Sequence, residues 1–166
     1  MKKICKQLLK YYLKLITKLV IFIKRPTIIA VAGNTNKTFT KNRIRTSLEE
    51  KGFKVRANPR NFNTEIGLPL AILYLPSGYN YYKLWLPTII KAPLTIFKRG
   101  FPSHLVLELG TSDKGDMKYL LSIVRPKISV ITEITQKYLE GYDHMDQMVG
   151  EYQLLINKTD KKGLVL

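Results

Sequence analysis

Lys37 and Thr38 stand where an apolar run gives way to a polar one. Ile28-Ile29-Ala30-Val31-Ala32 reads as a buried strand, Gly33-Asn34-Thr35-Asn36 as a tight loop, and Phe39 to Lys51 as a helix-like segment. Strand, loop and helix N-terminus in that order form a layout suited to phosphate, because loop N–H groups and the helix dipole both favour an anion there. In such a site the backbone of residues 33–37 cradles phosphate, Lys37 neutralises it and the Thr38 hydroxyl ligates Mg²⁺. The usual motif has glycine before the lysine, and Asn36 occupies that place. Asparagine tolerates positive φ better than most residues, so the turn remains open to it. An ordinary strand–turn–helix with a solvated lysine would show the same pattern.

A second group with chemistry is Glu108, which closes the apolar strand Leu105-Val106-Leu107. A carboxylate at a strand's carboxyl end beside a phosphate loop suits a Mg²⁺ ligand, although strand-end acids are also common without one. Asn61, Asn63, Thr64 and Glu65 precede Ile66-Gly67-Leu68-Pro69-Leu70, a polar loop entering a helix. His104 and His144 are too far apart to suggest a ligand pair, and a single cysteine, Cys5, excludes an internal disulfide framework and fits a reducing, cytoplasmic setting.

The elements around these residues alternate. A strand over Thr27–Ala32 and a helix over Thr38–Lys51 are followed by a strand over Phe53–Arg56 and a helix over Glu65–Leu75. Residues 76–102 read as irregular and aromatic-rich. A strand over His104–Leu109, a helix over Asp116–Val124, a strand over Ile128–Ile134 and a helix over Asp143–Ile156 come next, and Gly163–Leu166 opens a last strand that reads as cut short. The alternation predicts a three-layer α/β/α fold on a mainly parallel sheet, with ligands at the carboxyl ends of the strands.

Of the formal net charge of +16, half lies in residues 1–25, which carry Lys2, Lys3, Lys6, Lys10, Lys14, Lys18, Lys24 and Arg25 and no acid. Lysines at helical spacing opposite Leu8, Leu9, Tyr12, Leu15, Ile16, Leu19 and Ile23 predict a basic amphipathic helix, ended by Pro26. It is too interrupted by charge to span a membrane or act as a signal peptide. Two readings stay open: the helix lies in the face of an anionic membrane, or it packs its apolar side on the domain or a partner and leaves its lysines in water. Nucleic acid is disfavoured as a partner, because the charge comes without a recognised binding motif. The predicted organisation is a helix over 1–25 and a nucleotide-binding domain over 26–166.

Taken together, ordered segments resemble the central ATP-binding domain of the Mur ligases, in the branch that adds D-alanyl-D-alanine to the peptidoglycan precursor. They are Ala-Gly-Asn-Thr-Asn-Lys-Thr-Phe-Thr-Lys (32–41), Asn-Phe-Asn-Thr-Glu-Ile-Gly-Leu-Pro-Leu (61–70), Leu-Val-Leu-Glu-Leu-Gly (105–110), Gly-Asp-Met (115–117), Val-Arg-Pro-Lys-Ile-Ser-Val-Ile-Thr-Glu-Ile (124–134) and Tyr-Leu-Glu-Gly (138–141). The resemblance implies that ATP phosphorylates a carboxylate and an amine then displaces the phosphate to give an amide. It also implies Lys37 on the β/γ-phosphates as the catalytic cation, Thr38 and Glu108 on Mg²⁺, and Asn63 near the nucleotide or metal. The nucleotide and a carboxylate–amine pair are the implied partners. This sequence departs from the family at Asn36, at Glu133 and Tyr138 where an asparagine and a metal-binding histidine are usual, and around Gly150, Glu151 and Tyr152, where a lysine is usual. Glu133 and Glu151 are candidate substitute carboxylates, and His144 is the nearest downstream histidine. The family's flanking substrate-recognition and closing domains are not matched, so the chain is expected to be a piece of a larger enzyme that is not active by itself. A catalytically inactive binding or scaffold module is the alternative.

Overall fold

The strand that leads to Lys37 is the centre of the sheet. In the computed structural model, which describes residues 3–78, 82–135 and 141–166, β1 (Thr27–Ala32) is hydrogen-bonded on both sides. Its β-branched and small residues suit a strand covered on both faces, and Ile28 to Ala32 are all buried. The chain continues through α2 (Lys37–Glu50), β2 (Val55–Ala57), α3 (Gly67–Leu73), α4 (Tyr82–Lys91), a 3-10 turn (Pro93–Phe97) and β3 (His104–Glu108). It then forms α5 (Asp116–Leu121), β4 (Ile128–Ile131), α6 (Met145–Lys158) and β5 (Leu164–Val165). An N-terminal helix, α1 (Lys3–Lys24), precedes them.

The five strands run in the order β2-β3-β1-β4-β5, and every pairing is parallel. Thr27 lies opposite His104, and Val31 lies opposite Glu108, so β1 and β3 end level with one another. Connections leaving β1 and β3 travel in opposite directions across the sheet, which opens a crevice at those two carboxyl ends. One face of the sheet packs Ile28, Ala30, Leu105 and Leu107 against Leu68 and Ile72 of α3, Met117 and Leu120 of α5, and Met148, Tyr152 and Leu155 of α6. The other face packs Ile29, Val31 and Val106 against Ile44 and Leu48 of α2. The expected three-layer parallel α/β architecture is therefore present.

α1 forms a further layer outside α3. Leu9, Leu13 and Val20 join Leu70, Leu73, Trp85 and Ala92 in a separate apolar cluster. Lys10 pairs with Glu65 and lies 3.9 Å from the Tyr119 ring centroid, which fixes the helix in rotation. Among the described residues no helix is long and apolar enough to cross a membrane.

Two sequence expectations need correction. Residues 76–102 are not irregular throughout, since they contain α4 and the 3-10 turn. Pro87 inside α4 and Pro93 at the start of the turn hid them, because proline ordinarily argues against a helix interior. The strand expected over Ile128–Ile134 ends at Ile131, beyond which Thr132 and Glu133 hydrogen-bond with the loop that follows β1.

Candidate functional site

Local backbone chemistry sets the turn after β1. Gly33 has φ 133°, and a Cβ there would lie 2.1 Å from Thr132 Oγ1, so neither the dihedral nor the space admits another residue. Asn36 is left-handed at φ 57°, ψ 7° and is the N-cap of α2. The sequence expectation that asparagine can occupy the usual glycine position is thus met in geometry. Its side chain makes no cap hydrogen bond, so the first-turn N–H groups of α2 are not satisfied from that side chain.

The loop is fastened from β4 and α6. Asn34 N–H donates to Glu133 O at 2.9 Å, and Thr132 Oγ1 donates to Thr35 O at 2.7 Å. Thr35 Oγ1 donates to Glu133 Oε2 at 3.0 Å, and the Tyr152 hydroxyl donates to Asn34 Oδ1 at 3.2 Å. Lys37 Nζ donates to Asn34 O at 3.1 Å. Partial burial holds the Lys37 ammonium below the usual lysine value, and the Glu108 carboxylate opposes that shift. A cation that has already lost part of its hydration gives up less when it meets an anion.

Glu108 gathers the remaining groups. Thr38 Oγ1 donates to its Oε2 at 2.8 Å, Asn63 Nδ2 donates to its Oε1 at 3.1 Å, and Lys41 Nζ stands 3.4 Å from Oε2. Lys41 is 2% exposed and also donates to Asn58 O at 2.8 Å. Asn58 in turn clamps the Glu108 backbone, accepting from its N–H at 2.8 Å and donating to its carbonyl at 3.0 Å. Gly110, whose N–H donates to Asn63 O at 3.0 Å, lets the Asn63 side chain pass close to the backbone, because a Cβ there would meet Asn63 Cγ at 2.9 Å. Residues of α2 and the 58–63 loop are thereby drawn to one carboxylate at the end of β3.

Of the residues expected from sequence, Thr38, Asn63 and Glu108 are joined by direct hydrogen bonds, and Gly33, Asn34, Thr35, Asn36 and Lys37 form the adjoining turn. Lys41 and Asn58 were missed. Lys41 could have been found, since it lies three residues after Thr38 and so on the same side of α2. Glu133 touches the loop, as a substitute carboxylate would need to. Glu151 does not fit that role: it is 4% exposed, and its two oxygens accept from Gly115 N–H and Met117 N–H, both at 2.8 Å. It is spent on the N-terminal turn of α5, a fitting place for a carboxylate. His144 is exposed at the N-cap of α6. Tyr138 lies outside the described residues.

Among the described residues no cluster of three or more His, Cys, Asp or Glu could hold a metal by itself. Thr38 and Glu108 do offer hard oxygen donors. The Thr38 proton is directed to the carboxylate, which leaves the hydroxyl lone pairs free, and Mg²⁺ is commonly held by one or two protein oxygens with phosphate and water completing the shell. The residues present therefore fit that ion in company with a nucleotide.

The chain resembles known proteins in the same terms. The profile of the Mur ligase middle domain matches residues 31–166. UDP-N-acetylmuramoyl-tripeptide–D-alanyl-D-alanine ligase of Borreliella burgdorferi is 28% identical over 131 residues, covering 79% of this chain and 23% of that protein. The enzyme of the same name in Bacillus subtilis is 26% identical over 139 residues, covering 84% and 25%. The crystal structure of MurF ligase from Thermotoga maritima in complex with ADP superposes with a TM-score of 0.65 at 21% identity, over 92% of this chain and 31% of that one. The chain spans about a quarter of the length of the curated relatives it matches. On the extent of the profile match and the shared fold, this chain belongs to the Mur ligase middle-domain family.

Proposed function

We propose that this chain is the nucleotide-holding domain of an ATP-dependent ligase that joins a carboxylate to an amine in peptidoglycan precursor synthesis. The observation that carries the reading is the convergence of Thr38, Asn63 and Lys41 on Glu108, beside a left-handed turn that aims Lys37 and the start of α2 at the same crevice. Family membership supports it, and so does the Thermotoga maritima relative, which was solved in complex with ADP.

In this reading the first-turn N–H groups of α2 and the loop backbone receive the phosphates, and Lys37 moves from Asn34 O to the β/γ-phosphates. Its charge steadies the negative oxygens of the phosphoryl group as that group passes to the substrate carboxylate. ADP leaves, an amine attacks the acyl carbon, and phosphate departs as the amide forms. Mg²⁺, when bound, supplies charge neutralisation on the phosphates, and Thr38 and Glu108 would hold it. Lys41 and Asn58 keep the Glu108 carboxylate in place. Acid and amine would be brought by other parts of a longer enzyme.

One observation favours a second reading, a non-catalytic module of the same fold. The Glu151 carboxylate is consumed as a helix cap in the segment where the family carries a lysine, so no replacement carboxylate is offered there.

Calorimetric titration of MgATP into the chain, with Lys37→Ala alongside, tests the nucleotide site. Saturable binding that the variant loses is the expected result. Equal binding by both proteins, or a folded chain that takes no nucleotide, would remove the assigned role. Turnover in the longer enzyme separates ligase from module.

A further inference from the structure

We propose that the outer side of α1, together with α4 and the 3-10 turn, docks on a bilayer surface that carries anionic headgroups. α1 has two apolar sides and the fold uses one. Leu9, Leu13 and Val20 are buried, whereas Ile4, Leu8, Tyr11, Leu15, Leu19 and Phe22 recur every three or four residues along the opposite side, with Leu8, Leu15 and Phe22 at 65%, 67% and 71% exposure.

The neighbouring elements continue the pattern. The Tyr12 hydroxyl donates to Ile89 O at 2.8 Å, which seats α4 against α1. Beside that contact Ile90 is exposed, as are Leu94 and Phe97 of the 3-10 turn, Phe97 at 79%. A soluble surface does not ordinarily gather this many large apolar groups on adjoining elements.

Charge selects the occupant. Residues 1–25 hold eight cations and no acid, and no acid occurs between Glu65 and Glu108, a stretch that contains Lys83, Lys91, Lys98 and Arg99. A second copy of the chain would cover the apolar groups but bring two strongly cationic faces together, in each of which Lys10 alone among the described cations of residues 1–25 has an acidic partner, Glu65. A nucleic acid would meet the cations but leave Leu8, Leu15, Phe22 and Phe97 in water. A bilayer interface takes both, with apolar side chains at the acyl boundary and lysine stems extended to the headgroups. Among the described residues no helix is long and apolar enough to cross the membrane. Docking of this surface does not depend on the nucleotide site.

The test is sedimentation of the full chain with vesicles of phosphatidylglycerol and phosphatidylcholine, against vesicles of phosphatidylcholine alone. Binding to the anionic vesicles that weakens as salt is raised is expected. The pairs Leu8→Ser with Leu15→Ser, and Ile90→Ser with Phe97→Ser, should each weaken it about tenfold, because each removes two exposed apolar groups from the interface and none from the core. Lys18→Glu with Lys91→Glu should weaken it by a similar factor with the apolar groups intact. No binding to anionic vesicles would overturn the proposal. So would equal binding to the neutral ones, or binding undiminished by either serine pair. Self-association abolished by the serine pairs, without vesicle binding, would assign the surface to a second copy instead.

Discussion

The Thr38 hydroxyl donates to Glu108 Oε2 at 2.8 Å, and the same oxygen faces the buried Lys41 ammonium at 3.4 Å. One carboxylate thus serves two neighbours: a hydroxyl at the mouth of α2 and a cation one turn further along it. A buried ion pair is costly to break from one side, because the remaining charge is left without compensation. Glu108→Gln and Lys41→Met should each destabilise the chain by about 3 kcal/mol. The double variant should lose clearly less than the sum, with a coupling of about 1–3 kcal/mol. Urea unfolding of the four proteins checks this, and additive losses would show that the pair is not a unit.

Gly33 and Asn36 make separable predictions about the turn. Gly33→Ala places a methyl 2.1 Å from Thr132 Oγ1 and 2.9 Å from Thr132 O, at a φ that alanine avoids, so a loss of about 3 kcal/mol is expected. Adding Thr132→Ala should restore only part of that stability, since the carbonyl and the dihedral remain. At Asn36, replacement by Ala should cost about 1 kcal/mol for the left-handed backbone, while Gly should leave the loop and its nucleotide titration intact. Thermal unfolding with and without MgATP reads both effects.

Much of this was legible in the chain. The run from Ile28 to Ala32 and the run from Leu105 to Leu107 are apolar on every residue, which marks strands buried on both faces and so the middle of a parallel sheet. The turn between β1 and α2 was legible because glycine and asparagine are the residues that a left-handed loop demands. Helix α4 was not, since Pro87 breaks its pattern and its outward side chains Leu84, Leu86 and Ile90 imitate a core face. Lys41 was hidden for another reason. A lysine in a polar helix reads as a solvated one, and only the folding of the 58–63 loop over it supplies the carbonyl of Asn58 that allows its burial.

Glu151 illustrates the limit of spacing arguments most directly. Its sequence position suggests a carboxylate standing in for the family's lysine, but the packing of α6 beside α5 brings it to two backbone donors 36 and 34 residues away. Glu151→Gln keeps the shape and one acceptor, but turns an amide toward one of those N–H groups. Hydrogen bonds to a charged acceptor are among the stronger ones, so the expected loss is about 2 kcal/mol, with MgATP affinity unchanged. A loss of nucleotide binding without loss of stability would return the carboxylate to the site.

His104 begins β3 with its ring 4.6 Å from Phe53, centroid to centroid. Burial first, and the Lys127 ammonium second, hold its imidazole below the ordinary value of 6.5. The unfolded chain therefore takes up this proton at a higher pH than the folded one. With more protons bound in the unfolded state, stability declines as pH falls through about 6.5 and levels off only below the folded value. His104→Gln removes the group and should flatten that part of the stability profile. Denaturation midpoints taken across neutral to mildly acidic pH decide the matter. An unchanged slope in the variant would assign the pH dependence to some other group.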